Sequence, residues 1–147
     1  MPQNLTPFLW LKKDAEKAAR FYKTIFKNTK ILESNPMSTA IRIDGLELVL
    51  FNGGSYYKLN FAFSIVVECK NQKEINFYWR KLLSGGGKPS RCGWLVDRFG
   101  VAWQITPKIL SSLIGDQDRK KGERALQAMF KMVKLDIAKL KRAHQGE

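Results

Sequence analysis

Few side chains in this sequence combine the type and spacing that chemistry requires. The single histidine, His144, lies in a polar C-terminal stretch, where a solvated ring is expected rather than a ligand. Cys69 and Cys92 stand far apart, and the N-terminal stretch MPQNLTPFLWLKK has no secretory leader pattern. Free thiols in a reducing compartment are therefore expected, with a disulfide left open by spacing alone. Cys92 follows Arg91, a neighbour that could activate it, although cysteines in strands are ordinarily packed and inert. Glu47 could act as a general base, but no histidine, cysteine or second acid falls beside it, so a solvent-facing or salt-bridged carboxylate is expected. Gln104 sits between Trp103 and Ile105 in CGWLVDRFGVAWQITP, residues 92–107. An amide placed among apolar neighbours needs partners, from the protein or from a ligand.

The elements that position these residues come from an internal repeat. Residues 8–26, FLWLKKDAEKAARFYKTIF, read as a strand, a cap at Asp14 and a helix with Ala18, Phe21, Tyr22, Ile25 and Phe26 inward. Residues 64–83, SIVVECKNQKEINFYWRKLL, repeat the order, with a cap at Asn71 and Ile75, Tyr78, Trp79 and Leu82 inward. Downstream, AIRIDGLELVLFN (40–52) resembles LVDRFGVAWQITP (95–107), each a strand, a glycine turn and a strand. The chain thus reads β-α-β-β-β twice, with strands expected near 7–12, 29–34, 37–44, 46–52, 61–69, 88–90, 92–97 and 101–106. The class is α+β, built as one domain over 1–147: a first module at about 5–54, a second at about 59–107, and a helical tail at 108–147. Each module can cover one sheet face with its own helix and must close the other against the second module, which leaves a cleft between them.

Asn52-Gly53-Gly54 ends the first module and reads as a crossover hinge, with a close-approach loop for a ligand as the alternative. Gly85-Gly86-Gly87 has no strand before it and no helix after it, so it reads as a helix stop rather than a phosphate cradle. In the tail, Asp116 or Asp118 is expected to cap a helix carrying Ala125, Leu126, Met129, Phe130 and Val133 on one side. A second short helix bears Ile137 and Leu140. Such a face is covered either by the chain's own sheet or by a second copy.

The paired pattern, with Asp-x-x-x-Ala-x-x-Phe-Tyr after the first strand and Asp-x-x-Gly before the last, resembles the vicinal oxygen chelate superfamily of glyoxalases, bleomycin and fosfomycin resistance proteins and extradiol dioxygenases. More narrowly, TPFLWLKKDAEKAARFYKTIFKNTKI, FNGG, FYWRKLLSGGG, CGWLVDRFGVAWQITP and ALQAMFKMVKLDIAKL are similar to the PhnB-like family, also labelled 3-demethylubiquinone 3-methyltransferase-like. The stretch between Leu32 and Met37 is shorter than in those relatives. In metal-using members a histidine begins the first strand of each module and a glutamate lies on the last strand. The resemblance carries those positions onto Pro7, Phe63, Val49 and Gln104, none of which offers an imidazole or an anionic donor. It therefore implies no metal and no cofactor.

Strand parity counted from those positions puts Leu9, Glu47, Val49, Phe51, Phe63, Ile65 and Gln104 on the cleft side, with Ala102 beside Gln104 and with Trp103 and Ile105 under the helices. The facing of Trp94 is not fixed by this count. The expected ligand is a flat or hydrophobic small molecule with one or two polar groups. The function implied is a PhnB-like binding protein, the alternative being a metal-independent or atypical enzyme on a small carbonyl or phosphonate-type substrate. No catalytic residue is identified, and a dimer is expected from the resemblance. Methyl transfer through S-adenosylmethionine would need a parallel sheet with a glycine-rich first turn and an acidic ribose contact, an order this chain does not have.

The net charge is +13, with 26 Lys and Arg against 13 Asp and Glu. The excess is even along the chain: nine basic against five acidic residues in 1–58, eight against four in 59–116, and nine against four in 117–147. No basic stripe with interleaved aromatics marks a nucleic-acid surface, and no run approaches a membrane span. A cytoplasmic protein with neither nucleic-acid nor membrane partners is expected.

Overall fold

The computed structural model describes residues 5–147. Its elements are β1 (Phe8–Leu11), α1 (Ala15–Ile25), β2 (Thr29–Ser34), β3 (Ser38–Ile43), β4 (Leu46–Asn52), β5 (Ile65–Cys69), α2 (Gln72–Leu83), β6 (Lys88–Pro89), β7 (Trp94–Val96), β8 (Ala102–Pro107), α3 (Leu110–Ile114), α4 (Arg119–Phe130) and α5 (Ile137–Gln145). The described residues form two compact units, divided between Ala62 and Phe63. Both sheets share one topology, β1-β4-β3-β2 and β5-β8-β7-β6, with the first strand parallel to the last and the remaining pairs antiparallel. The repeat in the sequence is thus a repeat of sheet order.

In the first unit, burial alternates along the strands. Leu9, Leu11, Thr39, Ile41, Ile43, Leu48 and Leu50 are buried, as are Ala15, Ala18, Ala19, Tyr22 and Ile25 of α1, which packs on β2, β3 and β4. Helix spacing of three and four residues makes that stripe, and each fully buried Leu or Ile contributes about 1.5–3 kcal/mol. Leu9 pairs with Leu50 and so lies on the helix side, not on the opposite face with Val49 and Phe51. The parity count from Pro7 misplaces it because the paired ladder starts at Phe8↔Val49, while Pro7, which has no N–H, only accepts from Val49 N–H at 2.9 Å.

The start of α1 also differs from expectation. Asp14 takes a left-handed conformation and makes no side-chain cap bond. Asn52 Oδ1 accepts from Ala15 N–H at 2.8 Å instead, while Asn52 Nδ2 donates to the Pro36 carbonyl at 3.0 Å. Gly53 follows because any side chain there would overlap the Trp10 indole. Asn52-Gly53 is therefore a packing and capping device.

In the second unit, Asn71 caps α2 by accepting from Glu74 N–H at 2.9 Å, and Glu74 reciprocates by accepting from Lys70 N–H at 2.8 Å. Leu95, Trp103 and Ile105 are buried with Ile75 and Leu82 of α2, as alternation anticipates. Ile65 pairs with Trp103, so it lies on the helix side, opposite Gln104. Phe63 precedes β5 in a turn rather than extending the strand, and it is exposed. Asn60 Oδ1 accepts from Ala62 N–H at 2.8 Å there and fixes the bend that the apolar run Phe61–Phe63 conceals in sequence.

The tail belongs to the second unit. Leu113, Ala125, Leu135 and Leu140 form a small core of its own, and Asp118 caps α4. Gln72 of α2 donates to the Leu135 carbonyl at 3.0 Å and accepts from Ile137 N–H at 2.8 Å. His144, expected in solvent, is buried against Asp116, with Nε2 and Oδ2 2.7 Å apart. The helix carries it inward one turn beyond Leu140. Among the described residues no helix is long and apolar enough to cross a membrane.

Candidate ligand-binding site

Each sheet has one face turned away from its helix, and those faces carry the residues left over from the cores. In the second unit, Gln104 on β8 pairs with Val66 on one side and Trp94 on the other, so all three share that face. The facing of Trp94 is thereby settled. Gln104 Nε2 donates to Ser64 Oγ at 2.9 Å, leaving the other end of the amide open. Ser64, two residues before Val66, is the functional candidate that sequence reasoning missed. Nothing in the sequence marks it, because its tie to Gln104 depends on the β5–β8 register.

In the first unit, Phe8 and Trp10 of β1 share a face with Val49 and Phe51 of β4 and with Ala40 and Ser38 of β3. Glu47 lies on the same face, ion-paired with its cross-strand partner Arg42, whose Nε donates to Oε1 at 3.0 Å. That carboxylate is half-exposed and ion-paired, as the solvent-side reading anticipates.

The signature turn of the second unit is structural. Asp97 is buried, and its Oδ1 accepts from Phe99 N–H at 2.8 Å and Val101 N–H at 3.1 Å, while Oδ2 accepts from Trp103 Nε1 at 2.9 Å. Gly100, at φ +89°, closes the reversal where a side chain would be strained. Arg98 Nε donates to the Ser84 carbonyl at 3.0 Å, which ties the turn to the end of α2. Neither cysteine is disulfide-bonded. Burial, and then the charge of Glu74, push the Cys69 thiol up to about 12.

The metal implied by the superfamily can be tested against these donors. The resemblance sets Val49 and Gln104 at the glutamate positions and Pro7 and Phe63 at the histidine positions, and the structure adds Ser64 beside Gln104. Hydrocarbon, a neutral amide and a hydroxyl do not make a divalent-metal shell. Among the described residues no group of three or more His, Cys, Asp or Glu is placed to hold a metal ion. The residues do not fit the group.

The family described as 3-demethylubiquinone-9 3-methyltransferase matches residues 3–106. The chain belongs to this family. No curated protein matches. Among solved structures, a Bacillus cereus PhnB protein, described as a putative 3-demethylubiquinone-9 3-methyltransferase, is 26% identical, with a TM-score of 0.60 over 71% of this chain and 99% of that one. A Pseudomonas aeruginosa protein is 17% identical, with a TM-score of 0.59 over 72% and 98% of the two chains. The fosfomycin resistance protein FosX of Listeria monocytogenes, solved with Mn(II) and sulfate, is 18% identical, with a TM-score of 0.56 over 76% and 94%. A glyoxalase-related enzyme from Fulvimarina pelagi is similar in fold as well, and this family member has the α+β fold of its vicinal oxygen chelate neighbours, as two open four-stranded sheets with helices.

Proposed function

We propose that this PhnB-like protein binds a small organic molecule on the helix-free sheet faces, and that it does so without a divalent metal. One observation carries the reading: where metal-using relatives place a glutamate, Gln104 offers an amide already steadied by Ser64, with Val66 and Trp94 alongside. An amide held at one end and open at the other reads a neutral polar group on a ligand. On the first sheet's own helix-free face, Val49 and Phe51 offer apolar contact, with Glu47 at the margin. Leu9 and Ile65 act from beneath as packing, and Phe63 from the turn before β5.

The family name describes methyl transfer, but neither sheet is the doubly wound parallel sheet that class I S-adenosylmethionine enzymes use. We place the protein in the cytoplasm, in keeping with two free thiols, as a homodimer in which a second chain covers exposed Phe130 and Val133. Calorimetric titration of the metal-free protein with Mn(II) and Zn(II) tests the central point. No saturable heat at micromolar metal is expected, for the wild type or for Gln104→Glu, because one carboxylate cannot complete a shell. Stoichiometric binding by the wild type would refute the reading.

A further inference from the structure

The helix-free face of the first sheet carries a run of aromatic rings that neither the core nor the capping devices account for. Phe8 and Phe51 lie 5.2 Å apart between centroids, Phe51 and Trp10 5.1 Å, and Trp10 and Tyr57 5.0 Å. The wall is built rather than incidental. Trp10 Nε1 donates to the Gly54 carbonyl at 3.0 Å, and Gly53 lies so close to the indole that a Cβ would overlap it. The ring is thereby fixed in orientation before any ligand arrives. On the neighbouring strand the paired positions are small, Ala40 opposite Val49 and Ser38 opposite Phe51, so large rings stand beside a low floor. The charged groups on this face are balanced: Arg42 is ion-paired with Glu47, and on β2 Lys30 stands beside Arg42 and Glu33 beside Ala40. They present no net charge to a ligand.

We infer that Phe8, Trp10 and Phe51 form a stacking wall that selects a neutral planar aromatic ring system over a saturated one of the same size. The inference rests on the small-molecule reading above and narrows it to a ligand class. Ring quadrupoles favour edge-to-face and offset contacts, and Phe8, 60% exposed, leaves room for one more ring beside the wall. A saturated bicycle would gain the same hydrophobic burial without that preference.

The test compares naphthalen-2-ylmethanol with its decahydro counterpart, titrated into the full-length protein and followed by ligand-observed NMR. The expected result is saturable binding of the aromatic alcohol, roughly three- to tenfold tighter than the saturated one. Phe8→Leu, at an exposed position that leaves the core untouched, and Trp10→Leu should each bring the ratio toward one while both compounds still bind. Equal affinity in the wild type overturns the inference and leaves the binding reading standing. Absence of binding by both compounds overturns the inference, while an organic adduct retained by the purified protein would still uphold the wider reading. If the variants instead change the subunit count and leave the ratio untouched, a second copy covers this face and the inference fails.

Discussion

At Asp97 one buried carboxylate serves three donors, so its removal strands two backbone amides and an indole N–H. Asp97→Ala should cost roughly 2–4 kcal/mol, read as a lower urea midpoint with an unchanged slope. A loss below about 0.5 kcal/mol, the scale of ordinary surface changes, would contradict this account of the turn. The two thiols should separate cleanly. Cys69 is buried with its pKa pushed up to about 12, whereas Cys92 is partly exposed in the loop before β7. Iodoacetamide at neutral pH should therefore add one label to the folded protein, at Cys92, and intact mass checks the count. Residue-scale chemistry was partly legible: Gln104 stood out as an amide among apolar neighbours, but Ser64 did not, since a serine before a strand carries no signal until its cross-strand partner is known.

Among the elements, α1 depends on a residue from the end of β4. Asn52→Ala removes the acceptor for Ala15 N–H and the donor to Pro36, and should cost about 1 kcal/mol in thermal or urea unfolding. Asp14→Ala should cost less, because its side chain makes no cap bond. Equal losses would restore Asp14 as the cap. The succession of strands and helices was readable because the modules repeat, and alternation placed Trp103 and Ile105 correctly under the helices. The same alternation failed for Leu9 and Ile65. Parity depends on the first paired residue, and a proline or a turn just before the strand shifts that residue by one without changing the apolar pattern.

For the whole molecule, the tail follows physics that a linear reading could not reach. His144 and Asp116 are 28 residues apart and meet only because α3, α4 and α5 fold around Leu113, Leu135 and Leu140. Asp116 is held below its usual pKa chiefly by the Asp118 backbone N–H, and then by His144. Its contribution to stability is therefore present above the unfolded value of about 3.9 and is lost as pH falls through the lower, folded value. The difference in melting temperature between wild type and Asp116→Asn should persist at neutral pH and shrink below about pH 4. A difference that grew on acidification would reverse the assignment.

The central claim, a metal-free site for an organic ligand, is tested most directly by native mass spectrometry of the untagged protein as first purified. The account predicts a dimer carrying an organic adduct of a few hundred daltons, lost or weakened in Gln104→Ala. A stoichiometric divalent metal in place of that adduct would contradict it.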